Sequence, residues 1–206
     1  MPADHETFTP DSKPCPFCNL NPDENLILHE GADFFAMADF APQAAAHVLI
    51  IPRQHLSCLA VMPESMDEEF SALKRRFGEF VLEAYSELTY WENGVFGQSV
   101  PHAHQHVMSV SFDTALYTGE GSAFETPADL RALYSAAPGH YFTVEHAGVS
   151  RYLPPDLEIH RRLLRYGRER MGGLRLMTPQ QRRAAAQPYL DTLIERWQEY
   201  TAKTTR

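Results

Sequence analysis

The sequence predicts an α+β fold: an antiparallel sheet carrying a row of histidines, one amphipathic helix packed across it, and a helical C-terminal extension. Three observations carry that prediction. Short β-branched or aromatic runs bounded by turn residues recur before residue 65, at 102–110 and at 141–145. A single long apolar stripe at three- and four-residue spacing follows Ser65. From Pro155 onward the spacing is helical.

In chain order, residues 1–13 are polar, carry Pro2 and Pro10, and read as a flexible arm. Leu26-Ile27-Leu28 and Phe34-Phe35-Ala36-Met37 read as strands, with Gly31 and Asp33 as the turn between them. Ala41 to Ala46 is a connection. His47-Val48-Leu49-Ile50-Ile51 is a β-branched strand stopped by Pro52. Ser65-Met66-Asp67-Glu68 has the form of a capping box. Behind it Phe70, Leu73, Phe77, Phe80, Val81, Ala84, Tyr85 and Leu88 make one face of a helix expected over 65–92. Asn93-Gly94 is a turn, and a strand is expected from His102 to Val110. Residues 113–139 read as an irregular excursion with a short helix at Pro127–Ser135. Tyr141-Phe142-Thr143-Val144-Glu145 is a further strand. One helix is expected from Pro155 to a stop at Gly172-Gly173, and another from Thr178-Pro179 through Trp197 and Tyr200. The chain thus divides into the arm at 1–13, a catalytic unit at 14–150 and a helical extension at 151–206.

Composition narrows the function. The chain has 206 residues, 44% apolar and 22% charged, enough for a real core. With 18 basic and 27 acidic residues its net charge is −9, which argues against a nucleic-acid polymer as partner, because phosphate neutralisation needs a basic excess. The polar N-terminus does not read as a signal peptide, and no apolar run approaches the roughly 18 residues of a membrane helix. A cytoplasmic location without membrane contact is expected. Three cysteines, Cys15, Cys18 and Cys58, do not make a disulfide framework, and Cys58 reads as a small buried hydrophobe.

The informative segment is Gly97-Gln98-Ser99-Val100-Pro101-His102-Ala103-His104-Gln105-His106. On a strand, alternate side chains share a face, so His102, His104 and His106 form a row. Three imidazoles there point to a site rather than to core filling. Cys15-Pro16-Phe17-Cys18 has the two-residue spacing with which two thiolates grip Zn²⁺. The same spacing serves thiol redox chemistry, but the interleaved prolines and the loop after Cys18 favour a metal knuckle. Two histidines among several candidates would complete a tetrahedral set.

Together these motifs resemble the histidine triad (HIT) nucleotide hydrolases and transferases, in their zinc-containing bacterial-type branch, over roughly residues 14–110. The resemblance rests on His102-x-His104-x-His106 with Gly97-Gln98-Ser99-Val100, on Asp39-Phe40-Ala41-Pro42-Gln43-Ala44 running into His47-Val48-Leu49-Ile50-Ile51-Pro52-Arg53-Gln54-His55, and on Cys15-Pro16-Phe17-Cys18. It implies that His104 attacks the α-phosphate of a nucleotide and forms a covalent nucleotidyl-histidine. His106 and Gln98 would contact phosphate oxygens, and Ser99 would lie near the leaving group. Asp39 would hold the ribose hydroxyls and His47 would sit beside the phosphates. Cys15, Cys18, His55 and His102 would bind a structural Zn²⁺. The implied substrate is a diadenosine polyphosphate or nucleoside phosphoramidate, with adenine the expected base, and the implied assembly is a homodimer. Gln105 departs from the family pattern, as do Ser109-Val110. A glutamine here is similar to the related sugar-1-phosphate nucleotidyltransferases, although those carry it in place of the third histidine. The alternatives are therefore such a transferase, or a nucleotide-binding sensor or scaffold with negligible turnover.

Overall fold

The structure is a computed structural model that describes residues 15–20, 26–170 and 177–204. The arm expected at 1–13 and the helix stop at Gly172-Gly173 lie outside the described residues. Eight strands form one sheet: β1 (Ile27–Glu30), β2 (Phe34–Ala38), β3 (His47–Pro52), β4 (Thr89–Glu92), β5 (Gln105–Met108), β6 (Ser122–Ala123), β7 (Phe142–His146) and β8 (Val149–Leu153). Their order is β1-β2-β3-β5-β4-β7-β8-β6 and every neighbouring pair is antiparallel. Among the described residues five α-helices complete the fold: α1 (Asp67–Tyr85), α2 (Pro127–Ala136), α3 (Leu157–Arg170), α4 (Pro179–Ala185) and α5 (Gln187–Thr204). This is the α+β class expected, with the amphipathic helix on the sheet and a helical C-terminal part. No helix of the described residues is long and apolar enough to cross a membrane.

The alternation of strand residues assigns the two faces. Val48, Ile50 and Val107 join the large core under α1, where Phe70, Leu73, Phe77, Phe80 and Val81 are buried. On the other face Leu49, Ile51, Phe35 and Met37 form a smaller cluster, and Trp91, Met108, Phe142 and Val144 form a second, packed against Leu163 of α3. The helix α5 closes the β1 edge. Its Trp197 stacks on Phe77 at 4.4 Å and donates its indole N–H to the Leu28 carbonyl at 2.9 Å. That bond satisfies an edge group which would otherwise invite strand addition.

Four expectations need correction. The helix begins at Asp67 rather than at a Ser65 capping box; its N-cap is Met66, without a side-chain cap, and Ser65 lies in a short 3-10 turn, Glu64–Met66. The helix ends at Tyr85, where Ser86 turns left-handed at φ 66°, and 89–92 is the central strand β4. Leu88 prolongs the helical spacing and hides the switch, while Thr89-Tyr90-Trp91 is the strand-forming signal beneath it. The strand β8 follows a two-residue turn, Ala147-Gly148, with φ 49° and 77°, the mirror-image turn that suits hairpin twist. The helix expected from Thr178 does open with a capping box closed by Gln181, but it breaks at Ala186 into α4 and α5. Pro188 explains the break, since it lacks the N–H and crowds the preceding turn.

The triad strand is also shorter than expected. Only His106 lies within β5, because the Ala103 N–H leaves the ladder to bond the Leu56 carbonyl at 2.7 Å, beyond the end of β3 at Pro52. His102 and His104 therefore lie on an irregular approach to the strand.

Candidate active site

The histidine row divides into two chemistries. His102 turns to Cys15, Cys18 and His55, whereas His104 and His106 stay together, with ring centroids 4.7 Å apart. The divergence comes from the irregular backbone before β5.

His102 Nε2 lies 2.8 Å from the Pro52 carbonyl oxygen. A carbonyl only accepts, so Nε2 carries the proton and the Nδ1 lone pair faces the cysteines. It stands 3.5 Å from each Sγ, and His55 Nδ1 stands 3.2 Å from Cys18 Sγ. All four ligand atoms lie within 4.8 Å of one another. Tetrahedral coordination with ordinary metal–sulfur and metal–nitrogen bonds places N and S about 3.6 Å apart. The donor set and its spacing thus fit a metal ion. Burial pushes the His102 pKa down to about 4, which keeps the imidazole neutral, as a ligand must be. Cys58, by contrast, is fully buried and its thiol is pushed up to about 11, chiefly by burial, which matches the inert hydrophobe expected.

His104 Nδ1 lies 2.6 Å from the His102 carbonyl oxygen. The same argument puts the proton on Nδ1 and leaves Nε2 with its lone pair. The residue is 4% exposed, and burial holds its pKa below the usual imidazole value. Phe17, between the two cysteines, packs edge-on against both His102 and His104, at 5.7 and 5.3 Å. The Cys15–Cys18 knuckle therefore touches the candidate nucleophile directly.

A second chain of bonds fixes His106. The Gln43 backbone N–H points at His47 Nδ1 from 3.1 Å, so that nitrogen accepts. His47 Nε2–H then donates to His106 Nδ1 at 2.8 Å, and His106 Nε2 carries a proton. Asp39 Oδ1 takes the Ala41 N–H at 2.8 Å, while Oδ2 stands 3.2 Å from His47 Nδ1. That last contact becomes an ion pair only when His47 takes a second proton; the direction of the Gln43 N–H decides the neutral tautomer. The register that pairs Leu49 with His106 puts His47 and His106 on one face.

Gln98 donates through its amide to the Ser57 carbonyl at 3.2 Å, and Ser99 is exposed. No described contact joins either of them to His104 or His106. Gln105 turns to the opposite face, where its amide donates to the Trp91 carbonyl at 2.8 Å, so it supplies no argument for a sugar-nucleotide transferase. Two sets of residues escaped sequence reasoning. Glu92 and Tyr141, behind the sheet, fix the 59–60 backbone, and their signal was hidden by the misread helix end. Arg182 and Arg183 of α4 reach the 39–41 loop, and nothing local in the sequence marks them.

The HIT domain family model matches residues 21–112. Similar solved structures include a HIT family hydrolase from Clostridium thermocellum, 29% identical, spanning 46% of this chain and 89% of that one, with TM-score 0.38. Another is a HIT family hydrolase from Legionella pneumophila, 28% identical over 46% and 91%, also at 0.38. A zinc-bound histidine triad family protein from Mycobacterium smegmatis is 22% identical over 59% and 94%, at 0.41.

Proposed function

We propose that this HIT-domain protein is a nucleotidyl hydrolase or transferase in which His104 attacks the α-phosphate of a nucleotide. The observation that carries the reading is the His104 Nδ1 contact with the His102 carbonyl, which fixes the tautomer whose Nε2 lone pair is open for attack. In the first step that lone pair forms a P–N bond while the bond from phosphorus to the leaving group breaks. The leaving group departs with the electron pair and takes a proton. In the second step water attacks phosphorus and gives a proton back to solvent, replacing the one the leaving group took; the P–N bond returns its pair to Nε2, and a nucleoside monophosphate is released. His106 Nε2–H donates to the phosphoryl oxygens as their charge grows, with its direction set through His47 and Gln43. The resemblance adds Gln98 as a second donor to these oxygens, through an amide that without substrate holds the Ser57 carbonyl, and Ser99 at the leaving group; Asp39 and His47 line the ribose and phosphate side. The substrate class is a dinucleoside polyphosphate or nucleoside phosphoramidate; adenine as its base rests on the resemblance alone.

Cys15, Cys18, His55 and His102 would hold Zn²⁺, and the full donor set leaves no open position for substrate. The metal's contribution is structural: it would cross-link the knuckle to His102, whose carbonyl orients His104.

The test is release of nucleotide from an adenosine phosphoramidate, a diadenosine polyphosphate and a nucleoside diphosphate sugar, with rapid acid-free quenching and mass spectrometry of the protein. A nucleotidyl mass on the peptide containing His104 is expected, absent in His104→Ala. Turnover without any adduct, equal in both proteins, would overturn the mechanism.

A further inference from the structure

We propose that α4, in the C-terminal extension, forms the base-side wall of the nucleotide site, where Arg183 selects guanine over adenine nucleotides and Arg182 positions the loop that carries Asp39. This rests on the reading of the site just given, and deepens it with a residue outside the matched HIT domain.

A continuous path of contacts joins α4 to the triad. Arg182 donates Nε–H to the Ala41 carbonyl at 3.2 Å and Nη1–H to the Met177 carbonyl at 2.9 Å, so it ties the loop to the segment just before α4. The Ala41 N–H holds Asp39 Oδ1, Asp39 Oδ2 meets His47, and His47 orients His106. The next residue, Arg183, lays its guanidinium 4.4 Å above the Phe40 ring. Among the described residues its N–H groups make no hydrogen bond and no ion pair, and it is exposed. In a chain of net charge −9, a cation is thus held by an aromatic face beside the ribose-side carboxylate with its donors uncommitted.

Position and chemistry then select the ligand edge. A nucleotide held at phosphorus by His104 and His106, and at the ribose by Asp39, extends its base past Asp39 toward Phe40. Phe40, half-buried, is the part of an apolar cluster that reaches the surface, over the buried Phe35, Met37, Leu49 and Ile51, and its ring suits a purine. A guanidinium donates in a fork and never accepts. Guanine offers two adjacent acceptors, O6 and N7, to such a fork, whereas adenine offers N7 beside an amino group that also donates. A bidentate pair of this kind discriminates by about tenfold or more.

The experiment is calorimetric titration of the full chain with GMP and with AMP, in wild type, Arg183→Ala and Arg183→Lys. Wild type is expected to bind GMP about tenfold or more tighter than AMP. Arg183→Ala is expected to bring the ratio near one through loss of GMP affinity, and Arg183→Lys to keep part of it. Equal affinities in wild type, or an unchanged ratio in Arg183→Ala with both nucleotides weakened alike, overturn the selection and leave Arg183 a packing residue. Binding of neither nucleotide by wild type overturns the reading of the site itself, and this inference with it.

Discussion

The two faces of the β4–β5 pair bury polar groups to opposite ends. On the face covered by α1, Glu92 is 1% exposed and both its oxygens are committed: Oε1 accepts the Leu59 N–H at 2.7 Å and Oε2 the Tyr141 hydroxyl at 2.8 Å. Tyr141 in turn accepts the Ala60 N–H at 3.1 Å. On the other face His104 is nearly as buried, yet only Nδ1 is committed, and Nε2 has no partner among the described residues. A buried polar group with every valence used holds structure together, while one with a valence left over is poised for a ligand. Both faces serve the same segment, since the turn fixed by Glu92 follows the stretch that carries His55, Leu56 and Ser57.

That contrast breaks if the two groups respond alike to truncation. His104→Ala is expected to lower nucleotide release by about a thousandfold or more, as for a deleted nucleophile, and to melt closer to wild type than any Glu92 variant. Glu92→Ala is expected to do the reverse. It strands the Leu59 N–H and the Tyr141 hydroxyl in the core, at about 1–3 kcal/mol each, which denaturant titration would register as a loss of roughly 2–6 kcal/mol. A Glu92→Ala protein as stable as wild type would show that the network is dispensable. If His104→Ala were the less stable of the two, the division between the faces would fail.

The same contrast explains what was legible in the sequence. The triad, the Cys15-Pro16-Phe17-Cys18 knuckle and the Asp39 to His55 stretch are local patterns, and the spacing of His102, His104 and His106 is visible in one pentapeptide. Their tautomers were not, because those depend on Pro52, His102 and Gln43 backbone groups placed by tertiary structure. Glu92 and Tyr141 are 49 residues apart and meet only because β4 and β7 pair, and β4 itself was masked by a leucine at helical spacing. Arg182 lies 141 residues from Ala41, and no periodicity encodes such a contact. The strands β1 to β3, where apolar runs are contiguous, lie where the sequence puts them; the hairpin β7–β8 and the break at Pro188 depended on turn and proline signals that the apolar pattern obscured.

Glu92 also gives the comparison a pH signature. Burial raises its folded-state pKa from 4.5 to about 7, against the opposing pull of the Leu59 and Tyr141 donors. The folded protein therefore holds a proton that the unfolded chain releases between these values. The stabilising contribution is complete below about pH 4.5, is lost as pH rises through about 7, and is flat above it. Its size is about 3 kcal/mol, from 1.36 kcal/mol per pKa unit. Other groups titrate in this range, so the quantity to measure is the difference between wild type and Glu92→Gln, which cannot ionise. Wild-type stability is expected to fall relative to the variant from pH 4.5 to 7. A constant difference would mean that Glu92 keeps an ordinary carboxylate pKa despite its burial.

The smallest expected effect is at Arg182, and it sharpens the contrast because this residue reaches the triad face from outside the stretch at 21–112 that the HIT model matches. Its bond to the Ala41 carbonyl is half-buried and about 1 kcal/mol in worth, so Arg182→Ala should scarcely shift the melting temperature. The loop it holds carries Asp39, which the proposed function sets at the ribose rather than at the phosphorus. Loosening that loop should therefore weaken ground-state and transition-state binding alike, raising KM by about fivefold while kcat changes little. Arg182→Lys keeps the charge and one donor and should recover part of the loss. A fall in kcat at constant KM would instead place the effect of Arg182 at His106, through Asp39 and His47, and would make the path of contacts from α4 a control on the phosphoryl donor itself.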